Sequence, residues 1–215
     1  MITLHYYPSN ASMTVHMLLN ELGLPFELQL VDREHGAHKQ PPYLALNPNG
    51  LIPVFVDGSL VLYETAAICL HLADTHPEAQ LVPPLATPER AHCYKWLMWM
   101  TNTLHASLTV YFYPERWVDE GNADGARQVK SHAEAKVGGL LDQLDAELAR
   151  TGGPWLMGER FSLLDPLAFT LCRWTRGFGR PARSLPQLGP YLQRMLARPA
   201  VQRMIEREGL AQPWV

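Results

Sequence analysis

Hydrophobic and polar positions alternate with period two over residues 2–7, and again where Phe26, Leu28 and Leu30 are spaced by Glu27 and Gln29. Both stretches predict β-strands. Between them Val15, Leu18, Leu19 and Leu22 recur at helical spacing, and Gly23 followed by Pro25 supplies a stop signal. Two short apolar runs, Val54-Phe55-Val56 and Leu60-Val61-Leu62, flank Asp57-Gly58-Ser59, which predicts a hairpin. Residues 66–73 then read as a helix. The order β-α-β followed by β-β-α predicts a small mixed sheet with helices against it, a thioredoxin-like α/β arrangement if the hairpin joins the same sheet.

The pattern changes near residue 80. Pro77, Pro83, Pro84 and Pro88 fall within one short stretch, which neither a regular helix nor a central strand accommodates. The expected division is therefore a first domain over 1–78, a linker over 79–88 and a second domain over 89–215. In that second domain strand patterns vanish. Leu97, Met100, Leu104, Leu108 and Tyr111 mark one long helix, and Val129, Ala133, Val137, Leu140, Leu141, Leu144 and Leu148 mark another. Ser162 stands three residues before Asp165, close to a capping box with Asp in place of Glu, ahead of the apolar run Leu167–Leu171. A buried helix is expected to start there. Leu188, Leu192, Met195 and Leu196, then Val201, Met204 and Ile205, predict two short closing helices split by Pro199. The second domain reads as an all-α bundle.

Composition narrows the function classes. Of 215 residues 47% are hydrophobic and 18% charged, enough for a packed core without disulfides. The 18 Lys+Arg against 21 Asp+Glu leave a net charge of −3, without the basic excess that a nucleic-acid partner requires. No apolar run approaches membrane-span length, so no membrane partner is expected and the chain reads as cytoplasmic. Cys69, Cys93 and Cys172 are isolated, so neither a disulfide framework nor a C-x-x-C redox motif is available. His35 and His38 have no Cys or acid cluster to complete a zinc set, so no metal is expected.

Three features fall at the expected strand ends, where ligands of open α/β sheets sit. Pro8-Ser9-Asn10-Ala11-Ser12 joins the first strand to the first helix, where hydroxyls, amides and the helix field could stabilise a thiolate. The same residue types are also preferred helix caps. In Asn47-Pro48-Asn49-Gly50-Leu51-Ile52-Pro53 a turn meets a proline at a strand start. A cis Ile52-Pro53 bond would turn the Ile52 backbone outward to pair with an extended peptide; a trans proline starting an edge strand is the plain alternative. Glu64-Thr65 opens a helix, and its hydroxyl, N–H and carboxylate suit an amino-acid zwitterion as well as a helix cap. Trp96, Trp99 and Trp117, with Met98, Met100 and Tyr111-Phe112-Tyr113, are core residues by default or the lining of an apolar pocket.

In this order the motifs resemble those of bacterial cytosolic glutathione transferases, over essentially the whole chain. They are an S/N-rich strand end, N-P-x-G-x-I-P, a hairpin, E-T-x-A-I, a proline-rich linker and a helical domain with S-x-x-D. The resemblance implies a thioredoxin-like domain that holds glutathione as co-substrate and a helical domain that holds most of a small electrophile. It also implies a homodimer. Ile52 looks like the backbone partner of the cysteinyl moiety, Pro53 like the family's cis-proline, and Glu64 and Thr65 like the pair that grips the γ-glutamyl end. His38 resembles a residue that approaches the glycyl end in delta-like members, which often carry histidine where this chain has Gly50. Beta-like members have a cysteine where this chain has Ala11. Ser9 matches the hydroxyl of delta-like and nu-like members and is the first candidate for thiol activation, followed by Asn10 and Ser12, then Tyr6. Thr103-Leu104-His105 resembles a T-x-L-H string whose histidine faces the second substrate. Conjugation of glutathione to apolar electrophiles is the leading expectation; glutathione-dependent disulfide or peroxide reduction, or a non-catalytic binding or regulatory role on the same fold, are the alternatives.

Overall fold

Strands β1 (Ile2–Tyr6), β2 (Phe26–Leu30), β3 (Val54–Asp57) and β4 (Leu60–Tyr63) form one sheet, ordered β2-β1-β3-β4, in the computed structural model, which describes residues 1–215. β1 runs parallel to β2, whereas β3 is antiparallel to both β1 and β4. The hairpin pairs Asp57 with Leu60, which leaves Gly58-Ser59 as a two-residue turn. Gly58 has φ +58°, a conformation that side chains other than glycine's adopt at a cost. This is the thioredoxin-like mixed sheet, with the hairpin as part of it.

Helix α1 (Ser12–Glu21) is the crossover from β1 to β2, and α3 (Thr65–Thr75) follows β4. A four-residue helix, α2 (Pro41–Leu44), has no counterpart in the hydrophobic pattern, because its Pro41-Pro42 start reads as a turn and its one buried side chain is Tyr43. Tyr43 packs with Val31, Ile52 and Val54 in a small core on that face of the sheet.

Amphipathic spacing alone would leave the polar side of α1 in water. Instead every residue from Ser12 to Asn20 is buried. The covering element is α9 (Pro199–Arg207), which belongs to the same compact unit: the first unit is Met1–Val82 together with Met195–Gln212. Polar contacts fasten the two helices. Arg198 grips Glu21 through two hydrogen bonds of 2.7 and 2.8 Å, Asn20 donates to the Ala200 carbonyl at 3.1 Å, and Arg203 donates to the Asn20 carbonyl at 2.9 Å. The unit boundary after Val82 falls inside the proline-rich stretch, whereas the return of 195–212 to the first unit is a feature of tertiary packing.

The second unit comprises Pro83–Arg194 and Pro213–Val215 and contains no named strand. α4 (Pro88–Trp99) starts behind Thr87, whose hydroxyl accepts from the Arg90 N–H. It continues through a π-helical segment, Met100–His105, into α5 (Ala106–Phe112). The long helix read from the sequence is therefore continuous but carries a wider turn at its centre, a feature that recurs at functional sites. α6 (Ala123–Thr151) is capped by Asn122 and ends at Gly152, which has φ +66°. α7 (Leu164–Trp174) is buried from Leu164 to Arg173, as the capping motif before it suggests. The Asp165 carboxylate accepts from the N–H groups of Leu156 and Ser162 and from the hydroxyls of Ser162 and Tyr191. α8 (Leu188–Leu196) completes the helices. No helix is long and apolar enough to cross a membrane.

Candidate functional site

Three segments leave the sheet at one edge. His5 pairs with Val54 and Val54 pairs with Tyr63, so the end of β1, the start of β3 and the end of β4 share one rung. The chain beyond each of these positions carries the candidate residues: Tyr7–Ser12 after β1, Ile52-Pro53 before β3, and Glu64-Thr65 after β4. Motifs spread over more than fifty residues of sequence are thereby gathered at adjacent strand ends.

The Ile52-Pro53 peptide bond is cis. The turn that leads into it is held by side chains: Asn47 and Tyr43 both donate to the Leu51 carbonyl, at 2.8 and 2.7 Å, and the Asn47 side-chain oxygen accepts from the Asn49 N–H. Burial of Tyr43 pushes its hydroxyl pKa up, which keeps it a proton donor at all working pH values. Tyr43 is a supporting residue that sequence reasoning missed, since only its contact with Leu51 reveals the role.

Glu64 has φ +70° and ψ 107°, a strained conformation for a residue with a side chain. Thr65 is the first helical residue of α3 and is buried, and no side chain caps that helix at Glu64. A helix cap does not explain the pair. Orphan N–H groups of the first turn remain to receive an anion, next to an acid.

Ser9 has φ +63° and donates its N–H to the Glu208 carboxylate at 3.3 Å. The N-cap of α1 is Ala11, with no side-chain cap, so Ser9 and Asn10 do not serve as caps in the usual way. Asn10 accepts from the Ala11 N–H through its side-chain oxygen at 2.7 Å. Ser12 is fully buried and its hydroxyl donates to the Tyr7 carbonyl at 3.2 Å, which commits its proton to the backbone. Tyr6 ends β1, where its carbonyl accepts from the Val31 N–H. The neighbouring Tyr7 hydroxyl instead donates to Glu34 at 2.9 Å.

His38 sits on a 3-10 turn, Ala37–Lys39, with Nδ1 buried and without a hydrogen-bond partner. Burial, then the charges of Lys39 and Arg33, lower its pKa, so the ring is neutral at pH 7. His35 bonds to Asp32 at 2.7 Å. In the second unit, His105 lies in the π-helical segment with its ring edge-on to Trp174, centroids 5.1 Å apart, and Trp174 also meets Phe112 at 6.3 Å. Burial lowers the His105 pKa.

All three cysteines are buried, and burial raises their thiol pKa values to about 12, 11 and 12 for Cys69, Cys93 and Cys172. None is poised as a nucleophile.

Residues 8–75 match the glutathione S-transferase N-terminal domain family and residues 99–199 the C-terminal domain family. Glutathione S-transferase GST-4.5 of Xanthomonas campestris pv. campestris is 33% identical over 96% of this chain and 98% of its own length. The chain belongs to the glutathione S-transferase family. Glutathione S-transferase GstA of Escherichia coli O157:H7 is 30% identical over the same shares of the two chains. A glutathione transferase homolog from Sulfitobacter, solved with bound glutathione, superposes with a TM-score of 0.88 at 27% identity, covering 98% of this chain and 99% of that one. The transferase from Xylella fastidiosa superposes with the same TM-score at 29% identity, over 98% and 100% of the two chains.

Proposed function

We propose that this protein is a glutathione transferase in which the Ser9 hydroxyl, with no enzyme thiol involved, holds the glutathione thiolate for attack on a small electrophile. The observation that supports it is the shared rung His5-Val54-Tyr63, which sets Ser9, Ile52-Pro53 and Glu64-Thr65 at neighbouring strand ends. In this reading the Ile52 backbone pairs with the cysteinyl part of glutathione as an added strand would. Thr65 takes the γ-glutamyl carboxylate with its hydroxyl and the N–H groups of α3, and Glu64 accepts from the ammonium group. His38 serves the glycyl end as a neutral donor, beside the charge of Lys39.

Chemistry then requires a sulfur anion at neutral pH. A hydroxyl donor at the start of α1, aided by the field of that helix, stabilises the thiolate more than the thiol and lowers its pKa. The sulfur lone pair forms the new C–S bond, the bond from that carbon to the leaving group breaks, and the leaving group departs with the bonding electron pair, so no external oxidant or reductant is needed. His105, on the face it shares with Trp174 and Phe112, is the candidate contact for an apolar second substrate. The active species is a homodimer in the cytoplasm.

Calorimetric titration of glutathione, together with turnover on a model aryl halide, tests the assignment. One glutathione per subunit is expected. Ser9→Ala lowers turnover by roughly one to three orders of magnitude while glutathione affinity changes little. Absence of binding at millimolar glutathione overturns the transferase reading, and unchanged turnover in Ser9→Ala overturns the role of Ser9. Faster turnover on a small disulfide than on the aryl halide makes the protein a reductase, and light scattering checks the dimer.

A further inference from the structure

Glu208 is an unusual residue by three criteria. It is an acid at the C-cap of α9, where the helix field disfavours negative charge. It is buried, with 6% of its surface exposed. Its carboxylate also reaches residues almost two hundred positions earlier: one oxygen accepts from the Ser9 N–H at 3.3 Å and the other bonds His16 Nδ1 at 2.9 Å. A carboxylate only accepts, so Nδ1 carries the proton and donates. His16 is itself fully buried on α1, edge-on to Phe26 with centroids 5.4 Å apart, and Arg207 covers that same ring at 4.7 Å. Nothing in helix stability calls for an acid at this place.

We infer that Glu208 is a positioning residue for the thiol-activating turn: it holds Ser9 by its backbone N–H, with His16 as the brace that orients the carboxylate. Ser9 needs such a hold. At φ +63° it occupies a backbone region that a serine leaves readily when nothing over-determines it. The Ser9 N–H is also a second donor at the same spot as the hydroxyl. Glu208 takes up that N–H and so fixes the backbone from which the Ser9 side chain projects. The contact also ties the end of α9 to the turn that carries Ser9. The inference rests on the role given to Ser9 above.

Glu208→Ala removes both hydrogen bonds. Its expected signature is a rise of about one unit in the thiol pKa of bound glutathione, read from thiolate absorbance, and a fall in kcat of about tenfold or more, with the glutathione KM within about twofold of the parent. Glu208→Gln is the rescue: its amide oxygen accepts from the Ser9 N–H and its amide nitrogen donates to Nδ1 of the other His16 tautomer, so kcat returns to within about threefold of the parent. Arg198→Ala is the structural control. It breaks the Arg198–Glu21 pair on the same two helices, and should lower the melting temperature while thiol pKa and kcat hold. The inference is overturned if Glu208→Ala keeps the parent's thiol pKa, or if Arg198→Ala shifts that pKa equally. It is also overturned if Glu208→Ala lowers the pKa, because the carboxylate would then act by charge alone. Ser9→Ala is run alongside. If it is silent, the hydroxyl reading fails by itself; positioning of the turn by Glu208 then stands if Glu208→Ala still raises the thiol pKa and falls if it does not.

Discussion

The His38 carbonyl oxygen occupies the space that a side chain on Gly50 would need: a Cβ built there lies 2.7 Å from that oxygen and 2.9 Å from Lys39 Nζ. The two turns that frame the expected glycyl end of glutathione are therefore packed backbone to backbone, and Gly50 has φ +60°. Any side chain at position 50 would meet that carbonyl oxygen, so the close approach of the two turns requires glycine there.

Gly50→Ala should cost about 1–3 kcal/mol in urea unfolding, because strain at positive φ adds to the clash with a backbone atom. The glutathione KM should rise in the same variant as the His38 turn is pushed away. An unchanged KM would separate His38 from the glutathione site.

Ser12→Ala should weaken folding and spare chemistry. The Ser12 hydroxyl both donates to the Tyr7 carbonyl and receives the Tyr7 N–H, at 3.2 and 3.4 Å, in a fully buried setting. A loss of about 1–2 kcal/mol is expected in denaturant titration, with turnover of the folded fraction within about threefold of the parent. A large loss of turnover at full stability would return Ser12 to the list of thiol-activating groups.

Asp165 gives a pH signature. Burial pushes its carboxyl pKa up to about 6, against the opposing pull of the Leu156 and Ser162 N–H groups and the Tyr191 and Ser162 hydroxyls. The folded chain therefore binds this proton more tightly than the unfolded chain. The associated stabilisation is complete below the unfolded value near 3.8 and is lost as pH rises through about 6. In paired urea titrations, the stability advantage of the parent over Asp165→Asn should shrink by about 2–3 kcal/mol between pH 4 and pH 7. A gap that widens instead would mean the four donors outweigh desolvation.

His105 carries the reverse dependence. Burial lowers its pKa, so its neutral form is favoured in the folded chain; that stabilisation is present above the unfolded value of 6.5 and is lost as pH falls through the folded value. His105→Phe keeps a ring against Trp174 and removes the titration. Its melting temperature should fall less than the parent's between pH 7.5 and pH 5. Equal falls would show that His105 takes no part in the acid sensitivity.

Much of the molecule was legible in the chain. Period-two runs and the Asp57-Gly58-Ser59 turn specify the hairpin, because a two-residue loop with glycine at positive φ is a local requirement. Ser162 and Asp165 announce the buried α7 in the same way, since cap and acceptor lie three residues apart. The residues of the Asn47–Pro53 and Glu64-Thr65 motifs could be listed from their order alone. Local chemistry written within a few residues survives in the sequence.

What the chain does not declare is which distant groups meet. The shared rung at Val54 is a matter of strand register, and nothing near Ser9 names its partner Glu208 or the brace His16. The polar side of α1 reads as a solvent face, yet His16 and Asn20 on it are buried against 195–212, which returns to pack there. Likewise the wider turn at Met100–His105 leaves the apolar spacing of its helix intact and so leaves no trace in the pattern. Secondary structure and motif content follow from short-range sterics and periodic burial, which a sequence records directly. The pairing of Ser9 with Glu208 follows from long-range packing, where the free energy belongs to contacts between residues that sequence order keeps far apart.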